Sequence, residues 1–259
     1  VELEGKHVVV TGGAGGIGKA LVEAFAAEGA AKVVVADFNQ EGAESVAAGV
    51  DGHAVGFDAG NEDSVLALIA EAEEANGPID VFFSNAGIAG PPGGPEASDE
   101  EWDQTWRVNV MSHIWAARDL APKMRKRDSG YLLNTASAAG LLTQVSALAY
   151  SVTKAAAVAL AEWLAVNHAG TGVKVSCLCP LGVKTPMLDF ALQEPVSKAT
   201  MSTGAFLEPS DVAETVVEAM RDERFLILPH PEVSQYQQLK AAAPDKWIDG
   251  MRQLMDSAR

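Results

Sequence analysis

The chain of 259 residues is 48% hydrophobic and 21% charged, a balance that excludes a disordered or fibrous protein and leaves room for one large or two small packed domains. Its 19 basic against 35 acidic side chains give a formal charge of −16, which argues against nucleic acid as a partner because duplex phosphates would be repelled over most of the surface. No apolar run approaches the roughly 20 residues that span a bilayer, and the N-terminus carries no basic and apolar leader, so a cytoplasmic protein without a membrane partner is expected.

In chain order, Lys6–Thr11 (KHVVVT) reads as a strand that runs into a glycine cluster, and Ile17–Gly29 as a helix with Ile17, Leu21, Ala24 and Phe25 at helical spacing. Lys32–Asp37 (KVVVAD) repeats the strand pattern. A helix over Gln40–Ala48, a weaker strand over His53–Phe57, a helix over Asn61–Asn76 stopped by Gly77-Pro78, and a fourth strand over Asp80–Asn85 follow. This alternation predicts parallel strands crossed by helices. Ala89–Pro95 (AGPPGGP) is a loop, and Ser98 with Glu101 forms a capping-box pattern that opens a long helix to about Arg125. Tyr131–Thr135 is a fifth strand, Ser146–Ala169 a long helix and Lys174–Cys179 a sixth strand. Cys177 and Cys179 share one face of that strand and fit buried thiols better than a disulfide framework or a zinc cage. Residues 182–206 lack periodicity, Pro209–Met220 is helical, Phe225–Leu228 is a seventh strand, and 229–259 forms a helical tail with Trp247, Met251, Leu254 and Met255 on one face. The histidines at 7, 53, 113, 168 and 230 are dispersed, so no metal is expected.

Thr11–Gly18 (TGGAGGIG) sits between a predicted strand and a predicted helix. Gly13-x-Gly15-x-x-Gly18 fits a dinucleotide fingerprint, in which missing side chains bring backbone N–H groups and the helix N-terminus against a pyrophosphate. The same stretch nearly reads as a P-loop, but Ala20 stands where a Ser or Thr must ligate magnesium. Asp37, nineteen residues beyond Gly18, ends the second strand where a carboxylate can accept bonds from ribose hydroxyls. No basic residue adjoins it, since Phe38 and Asn39 follow, and this predicts NAD over NADP. Asp58, at the next strand end, has two readings: acceptor for the adenine amino group, or cap of the following helix.

Tyr150 and Lys154 lie one turn apart on one predicted helix face. An ammonium near a phenol favours the phenolate and brings its pKa toward the working range of a proton carrier. Ser137 follows the fifth strand, where its hydroxyl can meet the same substrate oxygen. Ser151-x-x-Lys154 also matches the nucleophile motif of serine acyl enzymes, but its companion motifs are missing. A non-catalytic dinucleotide sensor is the other alternative; such a chain would be expected to have lost Tyr150 or Lys154.

Together, Thr11-Gly12-x3-Gly16-x-Gly18, Asp37, Asp58, Asn85-Ala86-Gly87, Asn109, Ser137 and Tyr150-x3-Lys154 resemble the classical short-chain dehydrogenase/reductase family over nearly the entire chain. The resemblance implies one α/β domain over 1–259, a Rossmann-type doubly wound parallel sheet of about seven strands with helices on both faces. It makes Tyr150 the acid/base, Ser137 the group that orients the carbonyl or alcohol oxygen, and Lys154 the residue that lowers the tyrosine pKa and holds the nicotinamide ribose. Asn109 would fix a water linking Lys154 to solvent. Cofactor contacts would come from Thr11, Gly12, Gly16, Ile17, Gly18, Asp37, Phe38, Asp58, Ala59, Asn85, Ala86, Gly87, Tyr150, Lys154, Pro180, Val183 and Thr185.

Two departures stand out. Leu181 follows Pro180 where the family usually has Gly, with Val183 and Thr185 still in their expected places, and Ser84 replaces an Asn before Asn85. Met187, Leu188, Phe190, Leu192, Met201 and Phe206 suggest an apolar lid over 182–206, with Leu141, Leu142, Gln144 and Val145 as the opposite wall, for a largely apolar secondary alcohol or ketone. An NADPH-type carbonyl or 3-ketoacyl-thioester reductase is the runner-up. The resemblance also implies a homodimer or homotetramer built on the helices that carry Asn109 and Tyr150, with Trp102, Trp106 and Trp115 in support.

Overall fold

Alternate residues of the central strands enter two different cores, and this alternation builds the architecture. In the computed structural model, which describes residues 1–201 and 205–258, seven strands form one parallel sheet: β1 (His7–Thr11), β2 (Lys32–Asp37), β3 (His53–Gly56), β4 (Val81–Ser84), β5 (Gly130–Thr135), β6 (Val173–Leu178) and β7 (Leu226–Ile227). Their spatial order is β3-β2-β1-β4-β5-β6-β7. The helices are α1 (Gly16–Ala27), α2 (Gln40–Gly49), α3 (Glu62–Asn76), α4 (Asp99–Trp106), α5 (Ser112–Lys126), α6 (Ala138–Leu142), α7 (Leu148–Asn167), α8 (Pro186–Ala191), α9 (Pro195–Met201), α10 (Pro209–Arg221), α11 (Glu232–Ala242) and α12 (Pro244–Ala258). Val8, Val10, Val35 and Phe83 pack with Leu21 and Phe25 of α1 and Val216 of α10 on one face. Val9, Val34, Phe82 and Leu132 pack with Leu68 of α3 and Leu120 of α5 on the other. Strands covered on both sides read as unbroken apolar runs, and each of these fully buried side chains contributes about 1.5–3 kcal/mol.

The chain order reverses beside β1, whose neighbours are β2 and β4. Ligands of open α/β sheets bind at such a switch point, beyond the carboxyl ends of the strands. Thr11 and Asn85 mark those ends here.

Several predicted boundaries shift for physical reasons. The helix opened by Ser98 does carry the capping box, with Glu101 Oε2 accepting from the Ser98 N–H at 2.9 Å. Its course is interrupted by a π-turn over Arg107–Met111, one extra residue that rotates Asn109 into the interior. A short helix not expected from the sequence, α6, precedes the helix expected over Ser146–Ala169, which is α7. Thr143 ends α6 with φ +74°, so the chain turns before α7 begins. Asn61, not Asp58, caps α3: its side chain accepts from the Ser64 N–H, whereas Asp58 accepts from the Gly60 N–H. Residues 182–206 hold α8, capped by Thr185 and started by Pro186, and α9. The predicted absence of any membrane-length segment also needs correction, because the 20 residues of α7 are long and apolar enough by length and composition alone. Alanine explains it: Ala157 and Ala161 let α7 lie close against the sheet while it carries Lys154 inside.

Candidate active site

The glycine turn after β1 is shaped by the space it lacks. A Cβ on Gly18 would fall 2.0 Å from the Gly12 carbonyl oxygen, and Gly16 has φ +52°, so neither position admits a side chain without opening the turn. The turn delivers Gly15 as the N-cap of α1, with no side-chain cap and no acidic residue in the first turn. The first N–H groups of α1 are therefore left for a ligand, and Gly15, Gly16 and Ile17 line a cleft of ≈ 500 Å³. An uncapped helix N-terminus edged by bare backbone fits a pyrophosphate.

The remaining predicted cofactor residues divide between lining the cleft and supporting it. Gly12, Asp37, Asn85, Ala86, Gly87, Pro180, Val183 and Thr185 line it together with Tyr150 and Lys154. Thr11 is buried behind it, where its hydroxyl accepts from the N–H groups of Asn85 (2.9 Å) and Ala86 (3.0 Å) and donates to Phe83 O. Asn85 returns two bonds to the carbonyls of Thr11 and Gly12 and accepts from Thr135 Oγ1 at 3.0 Å. These bonds lock the ends of β1, β4 and β5 together. Gly18 closes the turn from below; Phe38 is exposed, and Asp58 and Ala59 lie outside the lining. The carboxylate of Asp37 accepts from the N–H groups of Ala14 at 3.0 Å and Asn39 at 2.9 Å, so it is held rigidly at the cleft edge.

Ser137, Tyr150 and Lys154 converge at the other end. Ser137 caps α6 and is buried; its hydroxyl accepts from the Ala139 N–H at 3.1 Å and donates to Pro180 O at 3.5 Å, and it lines the same cleft as Tyr150. Lys154, on the inner face of α7, donates to Thr135 O at 3.0 Å, and its Nζ lies 5.7 Å from the centre of the Tyr150 ring. Asn109 accepts from the Ile88 N–H (2.9 Å) and donates to Ile88 O (2.9 Å) and Thr153 Oγ1 (3.1 Å), tying the β4 loop to α7. A Cβ on Gly87 would come within 3.2 Å of both Asn109 Oδ1 and Lys154 Nζ, so these two groups and this glycine form one contact.

The proton affinities differ from expectation in one respect. Burial lowers Lys154 to about 8. Burial also raises the Tyr150 phenol above its ordinary value, with the Ser137 hydroxyl pulling the other way. The lysine was expected to lower it, but its ammonium points toward Thr135 O, and burial prevails in the free protein. Beneath the lysine, His113 Nδ1 meets Asn134 Oδ1 at 3.2 Å, and burial followed by the Lys154 charge lowers this imidazole to about 3.

Residues 6–195 match the family described as short chain dehydrogenase. The chain belongs to the short-chain dehydrogenase/reductase family. It is similar to 1-deoxy-11-beta-hydroxypentalenate dehydrogenase of Streptomyces exfoliatus, with 35% identity over 234 residues covering 88% of this chain and 84% of that protein. It is also similar to 2,5-dichloro-2,5-cyclohexadiene-1,4-diol dehydrogenase of Sphingobium indicum, with 36% identity covering 85% and 92% of the two chains. The crystal structure of a short-chain dehydrogenase/reductase from Burkholderia phymatum in complex with NAD superposes with a TM-score of 0.85 and 32% identity over 95% of this chain and 96% of that one. As a member of this family the protein is an oxidoreductase of alcohols and ketones that takes a nicotinamide dinucleotide.

Against the family pattern, Leu181, which follows Pro180 where the family has Gly, is held in place by a residue that sequence reasoning assigned no role. His230, buried after β7, accepts from the Leu181 N–H at Nδ1 (3.2 Å) and meets Gly182 O through Nε2 (3.1 Å). Of the predicted lid, Met187, Leu188 and Phe190 line the cleft, and Met187 Sδ lies 4.0 Å from the Tyr150 hydroxyl. Leu192 and Phe206 do not line it, and the side chain of Met201 lies outside the described residues. On the opposite wall Gln144 lines it; Leu141, Leu142 and Val145 do not, Leu141 and Leu142 of α6 packing instead with Val233 of α11 and Trp247 of α12. Ser146 and Ser197, bonded to each other at 2.6 Å across wall and lid, were not anticipated. Ser151 is buried and bonded to the backbone of Gln144 in both directions, which removes the acyl-enzyme alternative. Cys177 and Cys179 are buried free thiols, and Trp115 is core rather than surface.

Proposed function

We propose that the protein interconverts a largely apolar secondary alcohol and its ketone, with NAD rather than NADP as hydride partner. The observation that carries this reading is a single cleft lined by Ser137, Tyr150 and Lys154 at one end and by the fixed carboxylate of Asp37 beside the uncapped helix at the other. The dinucleotide, when bound, supplies the acceptor or donor of the hydride.

The protein's own groups handle the proton. The Ser137 hydroxyl holds the substrate oxygen, and Tyr150 Oη takes its proton in oxidation or returns it in reduction. A phenol raised by burial is a donor in the resting protein, so oxidation requires positive charge brought close to it. Lys154 contributes that charge from beneath. Thr135 O aims the ammonium, and the bare backbone of Gly87 leaves it room. Met187 and Phe190 line the cleft above and offer it apolar surface. Lys154 is the sole lysine or arginine lining the cleft among the described residues, so Asp37 has no cationic neighbour there to neutralise a 2′-phosphate.

On this reading residues 182–206 are the substrate lid. The homo-oligomer, in the cytoplasm, assembles along α7, where Trp163 and Val166 are 60% and 70% exposed; gel filtration of the protein and of Trp163→Glu tests that face. The function is tested by following reduced-nicotinamide absorbance with NAD⁺ and NADP⁺ across steroids, aliphatic diols, simple secondary alcohols, hydroxyacyl thioesters and sugars. Turnover of apolar secondary alcohols with NAD⁺ is expected. Exclusive turnover of thioesters with the phosphorylated cofactor contradicts the reading.

A further inference from the structure

A second chamber of ≈ 250 Å³ lies behind the catalytic cleft, under the C-terminal helices. Ala139, Gln144 and Leu181 line both spaces, so this leucine is part of the shared wall. Leu142, Trp247, Met251 and Leu254 give the rest of its lining a mainly apolar character, with Thr143, Tyr236 and Lys246 as the polar members. A dry apolar cavity of roughly 150 Å³ already admits a benzene-sized guest.

Two features show that this room is maintained at a cost. Thr143, on the chamber rim, has φ +74°, a conformation that a β-branched residue adopts only when its surroundings impose it. Gly250 lies inside α12, where glycine costs about 1 kcal/mol relative to alanine. A Cβ there would meet no atom within 4 Å, so packing does not demand the glycine. Gly250 lines the chamber and is itself exposed, so a large side chain there stands at the chamber's open edge and narrows it.

We propose that this chamber is a second substrate subsite that takes an apolar hydrocarbon tail extending from the reacting carbon past Leu181. The inference rests on the alcohol/ketone reading above and narrows it to substrates whose carbinol carries such a tail. The roof of the subsite is α12, which also packs against α9 of the lid, so a tail in the chamber and a closed lid support each other.

The test is a homologous series of 2-alkanols from butanol to dodecanol, with calorimetric titration of 2-decanone alongside. For the unmodified protein kcat/KM rises with length, by about three- to fourfold for each methylene that leaves water, until the chamber is full. Gly250→Phe, or the smaller Gly250→Leu if the first does not fold, flattens that dependence and weakens 2-decanone binding. A flat series in the unmodified protein, or a length dependence and 2-decanone affinity that survive narrowing at Gly250, overturns the subsite while leaving the oxidoreductase reading intact. If no alkanol is turned over, that reading fails and calorimetry decides the subsite alone: binding lost on narrowing supports it, and equal binding overturns it.

Discussion

Replacing Asp37 with Asn should erase the choice between the two nicotinamide dinucleotides. The carboxylate is half-buried at the end of β2, fixed by the N–H groups of Ala14 and Asn39, and flanked by Phe38 and Asn39, neither of them basic. A ribose phosphate carries about −1.5 to −2 charges. Two unit charges 4 Å apart interact by about 1 kcal/mol in bulk water and about 4 kcal/mol at the effective dielectric of a protein surface. A half-buried site lies between these limits, so roughly 2–3 kcal/mol opposes the phosphorylated form, a preference for NADH of about 30- to 150-fold. In Asp37→Asn the amide oxygen still accepts one N–H and the charge is gone. NADH binding should weaken by about tenfold, as expected for a lost charge-assisted hydrogen bond, and the NADH/NADPH ratio should fall to within a few-fold of unity. Fluorescence titration of both cofactors against both proteins measures this. Equal affinity for the two in the unmodified protein, or a ratio unmoved by the substitution, refutes the assignment.

His113 predicts an acid-sensitive fold. Its pKa is depressed to about 3 in the native state against about 6.5 unfolded; stability is full above 6.5 and is lost as pH falls, by about 2 kcal/mol at pH 5. Urea melts at pH 7.5 and 5 should show His113→Leu losing that share of the dependence, and an identical dependence in the variant is the contrary result. Gly87→Ala should lower kcat by about 10- to 100-fold, because its methyl displaces Asn109 Oδ1 or Lys154 Nζ by tenths of an ångström; steady-state kinetics with unchanged kcat would contradict it. Asn109→Ala leaves both polar groups of Ile88 unpaired and should cost about 2–4 kcal/mol, read from denaturant midpoints.

The parts of this molecule that were visible in the sequence are those written in local spacing. Val8–Val10 and Val33–Val35 announce strands covered on both faces, Ser98 and Glu101 announce a helix start, and Tyr150 with Lys154 shares one helix face because four residues make one turn. The glycine turn and Asp37 were visible for the same reason. What was hidden depends on contacts across the chain. The π-turn that sends Asn109 inward is one extra residue in an otherwise ordinary helical pattern, and nothing in Arg107–Met111 marks it. His230 reaches Leu181 across 49 positions. The proton affinity of Tyr150 reflects burial that no i, i+4 spacing reports. The chamber under α12 exists only once Trp247, Met251 and Leu254 are packed over α6.

The central claim is that Tyr150 Oη carries the substrate proton. Tyr150→Phe removes one oxygen, which lies 4.0 Å from Met187 Sδ and, among the described residues, anchors no backbone group. Measured on a secondary alcohol that the unmodified protein oxidises, kcat should fall by about 10²–10⁴-fold, with NADH affinity within about threefold because the helix N-terminus and Asp37 are untouched. Turnover within tenfold of the unmodified protein, at equal cofactor affinity, would contradict the account.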